Sequence, residues 1–263
     1  MPTVKHYLCV INQNITIIMR NRTITFFLML MAFVSVSAQR TFVLSVGVSQ
    51  YADPNVPNLS QTAKDAMSFR DLMLQHTRDV TTLTSKYANH DNIMEKLRAL
   101  CNRAGSGDRI IFFFSGHGFE GGIAVHDRVI LYSELLDQLQ SSQALEKYVF
   151  IDACHAGTAV SSNKGHELAK AVGGSPGTVM FVSCRPDEVS AENPFVGKGH
   201  FTQAILKGLR GKADANGDRA ITVIELFTYI YNDVLHATRK TPRQQHSQLI
   251  APKATHQNVI VQW

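Results

Sequence analysis

Two short segments hold the residue types that nucleophilic catalysis needs. The first, FFFSGHG over residues 112–118, presents His117 between two glycines. The second, VFIDACHAG over 149–157, presents Cys154. A thiol with an ordinary pKa near ~8.5 is only slightly ionised at neutral pH, yet its thiolate is a strong nucleophile. An imidazole beside it can take the thiol proton and later protonate a leaving amine. Taken singly, a cysteine after an apolar run is most often a small core residue, and a histidine among glycines a turn residue. Here both follow strongly apolar runs and both have glycine close behind, which specifies chemistry better than either does alone.

The surrounding pattern supplies elements able to carry them. TFVLSVGVS (41–49) reads as a first strand, and Ser60 stands as the cap of a helix with Ala63, Ala66, Met67, Leu72 and Leu74 at roughly helical spacing. A short strand over 79–84 precedes a helix over 91–104 that ends at Gly105. RIIFFF (109–114) is apolar throughout, as expected of a strand buried on both faces. A small hairpin over 119–131, a helix over 132–142 and a strand over 147–153 follow. The polar, Gly- and Ser-rich stretch 157–178 reads as a mobile loop. Beyond it come a strand over 178–184, helices over 201–209 and 221–239, and a tail, NVIVQW, that reads as an edge strand. Strands alternating with helices predict an α/β domain with a mostly parallel sheet covered on both faces. In such sheets functional groups gather at the carboxyl ends of the strands, where His117 and Cys154 fall.

The beginning of the chain has a different character. Residues 24–38, ITFFLMLMAFVSVSA, follow Arg20 and Arg22 and end in small residues, with Val36 and Ala38 at −3 and −1 of a cleavage point. This is the pattern of a secretory signal peptide over 1–38, with Met19 as a plausible natural start. The run is shorter than the ~20 residues of a membrane-spanning helix, so no stable span is expected after cleavage. Residues 39–263 then form a single domain, secreted or periplasmic. Residues 1–38 carry three basic and no acidic side chains, which leaves 23 basic against 21 acidic in the remainder, a net of +2. With no basic run or aromatic-interleaved basic stripe, nucleic acid is not an expected partner. The remainder also holds three cysteines, Cys101, Cys154 and Cys184, an odd number that leaves at least one free thiol in an exported chain.

SGHG followed by DACHAG resembles the His and Cys motifs of the caspase-like peptidases, and the DxCH form is nearest to metacaspases and their bacterial relatives. The resemblance includes YADPNVPNLSQTAKDA (51–66), SCRPDEVSAE (183–192) and GHFTQAILKGL (199–209), and so covers most of the chain after residue 38. The interval from His117 to Cys154 is 37 residues, shorter than the ~50 of caspases. The resemblance implies a caspase-haemoglobinase-like three-layer sandwich and a cysteine endopeptidase of peptides or proteins. His117 would be the acid/base, Cys154 the nucleophile, and the backbone N–H groups of Gly118 and Cys154 the oxyanion hole. Asp152, two residues before Cys154, would line the S1 pocket and select Arg or Lys, with Asp187, Glu188 or Glu192 as a possible second acid. Lys164 and Lys170 would then be sites of self-cleavage. No cofactor is required for this chemistry. A catalytically silent module of the same fold is the competing reading, although such proteins typically lose the His or the Cys. A transpeptidase would share the same acyl-enzyme.

One further segment, DANGDRAITVIE (214–225), resembles an EF-hand calcium loop, with Asp214, Asn216, Asp218 and Glu225 at positions 1, 3, 5 and 12. Arg219 stands where the sharp turn requires glycine, and no entering helix is evident. An acidic turn capping the next helix is therefore the stronger expectation, with calcium as the weaker one.

Overall fold

The computed structural model describes residues 39–119, 121–153, 172–173, 175–183, 192–193, 198–240 and 244–263. The chain divides into two units, Met1–Ala38 and Gln39–Trp263, and the described residues all belong to the second. The signal-peptide expectation falls on residues outside that description.

Five strands run parallel: β1 (Thr41–Gly47), β2 (Val80–Thr84), β3 (Arg109–Ser115), β7 (Glu146–Asp152) and β8 (Thr178–Val182). A sixth, β12 (Gln248–Ile250), closes the β8 edge in antiparallel sense, giving the order β12-β8-β7-β3-β1-β2. The apolar runs explain why this sheet lies in the middle of the molecule. Every residue of β3 is buried, and so is all of β7 after Glu146, so neither face can be turned to water. Phe42, Phe112, Phe114, Val149 and Val182 face one core, covered by α2 (His90–Arg103) and α3 (Tyr132–Gln140). Phe113, Phe150 and Phe181 face the other, under α1 (Thr62–Met73), α4 (His200–Lys207) and α5 (Val223–Thr238). There Phe69 of α1 stacks on Phe113 at 4.5 Å, and Phe150 stacks on Phe181 at 4.7 Å. The result is the expected α/β three-layer arrangement.

Smaller pairings sit around this frame. β4 (Gly118–Phe119), β5 (Gly122–Ala124) and β6 (Val129–Leu131) form the expected hairpin sheet just past β3. β9 (Glu192–Asn193) pairs with β10 (Lys198–Gly199), directly before α4. The tail is a strand, as its pattern suggests. β13 (Val259–Gln262) pairs with β11 (Ala220–Thr222) rather than with the main sheet. Buried Arg109 explains the placement: its guanidinium pairs with Glu146 at 2.6 Å and donates to the carbonyls of Val259 and Ile260 at 2.6 Å each. The edge position goes to Gln248–Ile250, a segment too short and mixed to show as a strand in sequence. Two helix starts also shift. Gln61, not Ser60, is the N-cap of α1. Ile221 lies in β11, and α5 begins after Thr222, whose side chain completes a capping box with Glu225.

The turn before β3 is fixed by Asp108. Its carboxylate accepts from the Arg40 backbone N–H at 3.1 Å, from Arg40 Nη2 at 2.5 Å and from the Gly105 N–H at 2.8 Å. The Arg40 hydrogen bond is the main cause that holds the Asp108 carboxyl down at about 2. A depressed carboxylate pKa adds stability above the unfolded value of ~3.9, and that addition is lost as pH falls through about 2. Thermal melts of Asp108→Asn should therefore lie below wild type at pH 7, with the gap closing as pH approaches 2.

Candidate active site

The strand order reverses beside β1: β2 lies on one side and β3, β7 and β8 on the other. Loops leaving the carboxyl ends of β1 and β3 must diverge there, and the crevice between them is where such sheets bind ligands. His117 occupies that crevice, two residues past the end of β3. Its Nε2 lies 2.8 Å from the carbonyl oxygen of Pro57, in the loop after β1. A carbonyl can only accept, so Nε2 carries the proton and Nδ1 is the basic nitrogen of the neutral ring. The His117 backbone N–H donates to Tyr51 Oη at 2.8 Å, and the two rings lie 4.9 Å apart. Gly116 is required by close approach: a Cβ there would lie 2.6 Å from the Phe114 ring and 3.1 Å from Tyr51 Oη. Gly118 opens β4 opposite Ile123.

The neighbouring strand brings the second motif to the same edge. Ser115 pairs in register with Asp152, and the Gly116 N–H donates to the Asp152 carbonyl at 3.1 Å. His117 and Cys154 thus each follow by two residues a position where β3 and β7 are bonded side by side. Cys154 itself lies outside the described residues, as do Cys184, Lys164, Lys170, Asp187 and Glu188; Glu192 is described only as part of β9. The backbone leading to Cys154 is well held. Ser183 Oγ donates to the Ala153 carbonyl at 2.9 Å and accepts from the Ala153 N–H at 3.1 Å. Buried Gln245 in turn donates from Nε2 to the Ser183 carbonyl at 2.7 Å.

Asp152 is buried, and its Oδ2 accepts from Thr202 Oγ1 at 2.6 Å and from the Thr202 N–H at 3.2 Å. Thr202 lies in the first turn of α4, where the helix dipole favours an anion. A Cβ on Gly199 would come within 2.6 Å of Oδ2, so this approach also requires glycine. Laterally paired residues of parallel strands share a face, which puts Ser115 and Asp152 on the α1 side of the sheet. There Ser115 Oγ donates to Oδ2 of Asp65 at 3.0 Å, a buried carboxylate from the first turn of α1. The strand edge therefore carries two buried carboxylates, Asp65 bonded to the Ser115 hydroxyl and Asp152 in register with Ser115 on the next strand. Asp65 was not singled out in the sequence reading. Its signal was an acid placed four residues before Phe69 on the buried stripe of α1.

A match to the model of the caspase domain, peptidase C14, runs over residues 40–258. The chain belongs to the caspase-domain peptidases. That family consists of cysteine proteases acting on peptides or proteins, and this caspase domain takes up most of the chain. A curated relative named as a probable protease, from a Desulfuromonadales bacterium, is 24% identical over 219 residues. That match covers 67% of this chain and 26% of the relative, so the chain spans about a quarter of the relative's length. Among solved structures, protein GSU0716 from Geobacter sulfurreducens aligns with a TM-score of 0.61 at 17% identity, over 83% of this chain and 97% of that one. Caspase-1 from Spodoptera frugiperda aligns with a TM-score of 0.61 at 14% identity, over 81% and 86% of the two chains. These likenesses establish the fold.

Two other features of the caspase domain bear on the sequence reading. Cys101 is buried in α2, and burial pushes its thiol up to about 11, so it is a protonated core residue at neutral pH. In the loop from Asp214 to Glu225, the acids serve the backbone. Asp214 accepts from the N–H groups of Gly217 and Arg219, Asp218 accepts from Ala220, and Glu225 is engaged by Thr222. Gly217 and Arg219 take positive φ, which supplies the sharp turn without glycine at the sixth position. Contrary to expectation, a helix does enter this loop, because α4 runs on through a wider turn over Gly208–Lys212. Among the described residues no helix is long and apolar enough to cross a membrane.

Proposed function

We propose that the protein is a cysteine endopeptidase in which Cys154 is the nucleophile, His117 the acid/base, and Arg or Lys the favoured P1 residue. The observation that carries this reading is the His117–Pro57 hydrogen bond beside the register pair Ser115–Asp152. The bond fixes the tautomer, leaving Nδ1 to take a proton, at the strand edge from which the chain enters Cys154.

Catalysis would begin with proton transfer from the thiol to Nδ1 of His117 and attack of the thiolate on the scissile carbonyl carbon. The N–H groups of Gly118 and Cys154 would receive the negative charge that develops on the carbonyl oxygen. The imidazolium then protonates the departing amine. Water, deprotonated by the same ring, releases the acid and restores the thiol. No cofactor enters these steps. Preference for a basic P1 is supported by Asp65 and Asp152, because buried carboxylates at the Ser115–Asp152 register pair form an acceptor set suited to guanidinium or ammonium. The apolar segment 24–38 supports export to the periplasm or beyond.

A fluorogenic peptide panel varying only P1 tests the assignment. Arg and Lys peptides should be cut at least about 100-fold faster than Asp or neutral peptides, the scale of a charge-assisted bond made in a water-excluded pocket. Preference for P1 Asp would overturn the specificity.

A further inference from the structure

We infer that Tyr51 is a positioning residue for the acid/base and for the turn that bears the oxyanion donor, an inference that rests on His117 being the acid/base. The loop after β1 holds His117 at two points. Pro57 takes the ring nitrogen, and Tyr51 takes the main chain, accepting from the His117 N–H at 2.8 Å. With one point alone the imidazole could pivot about its side-chain torsions. With both, ring and backbone are referred to the same segment.

Tyr51 is itself anchored. Its hydroxyl donates to the Val48 carbonyl at 3.3 Å, at the carboxyl end of β1. Its own N–H donates to Asn58 Oδ1 at 3.0 Å, and the next N–H, of Ala52, donates to the His126 carbonyl at 2.7 Å in the hairpin sheet. The tyrosine ring lies 4.9 Å from the imidazole, tilted by 41°, which limits ring rotation on that side. One hydroxyl therefore links the rigid end of β1 to the backbone of the turn. Gly118 follows His117 directly, so displacement of the His117 amide also moves the Gly118 N–H. Oxyanion donors act within a narrow distance, about 2.7–3.1 Å. A shift of a few tenths of an ångström would weaken them in the transition state while leaving substrate binding in place.

The test is Tyr51→Phe, which keeps the ring and removes the acceptor. The expected result is a kcat about tenfold lower, the scale of one hydrogen bond, with KM within about twofold of wild type. The backbone amide proton of His117 should move upfield in the NMR spectrum while amides of the central sheet stay in place. Unchanged kcat, or a loss of kcat accompanied by a general shift of sheet amides, overturns the positioning role. A measurement on the unmodified protein adds a check that needs no variant: the His117 amide should be protected from hydrogen exchange, and free exchange also overturns the inference. His117→Ala assayed in parallel separates the two levels, since full activity in that variant would remove the acid/base reading itself.

Discussion

His117→Ala should lower kcat on a P1 Arg peptide by about 1,000-fold, within the 10²–10⁴ range that a positioned acid/base contributes. The substitution removes both proton transfers at once, so neither thiolate formation nor amine departure is assisted. KM should change little, because the ring's observed partners are Tyr51 and Pro57 of its own chain. The fold should survive, since His117 is only partly buried and its N–H bond to Tyr51 belongs to the backbone. Steady-state kinetics alongside circular dichroism checks both parts. A kcat within about tenfold of wild type would mean that another group moves the protons.

The second large effect concerns the charge of Asp152. Asp152→Asn keeps an oxygen able to accept from Thr202, so the link to α4 should persist. What it loses is the negative charge that the proposed S1 pocket would set against a P1 cation. kcat/KM on a P1 Arg peptide should fall about 100-fold, while a P1 citrulline peptide, neutral and nearly isosteric, should lose less than about threefold. Equal losses on both peptides would assign Asp152 a purely structural role in holding α4. No loss on either would leave charge selection to Asp65.

Much of this was legible in the sequence for a simple reason. FFFSGHG and VFIDACHAG combine runs apolar enough to be buried on both faces with an abrupt polar stop, so the strands and their carboxyl ends are written together. The family fold followed from that pairing. The partners of His117 were not legible. Tyr51 and Pro57 lie more than 50 residues upstream, and they meet His117 only because β1 and β3 are neighbours in the sheet. Asp65 was obscured by its surroundings, since an acid in the first turn of a helix is ordinary until the helix is seen to bury it. The β11–β13 pair is tied to a buried arginine more than 100 residues away, which donates to Val259 and Ile260. Arg109 reads locally as the polar start of an apolar strand. Long-range polar anchors leave little periodicity behind, so the pattern of the tail shows a strand but not its partner.

The most direct measurement of the proposed dyad is intact-protein and peptide-level mass spectrometry after reaction with acyloxymethyl ketones bearing Arg or Asp at P1. The wild-type protein should gain a single reagent mass from one of them, located on Cys154, and His117→Ala should react about 1,000-fold more slowly. Labelling that falls on Cys101 or Cys184, or that persists in Cys154→Ala, would contradict the account.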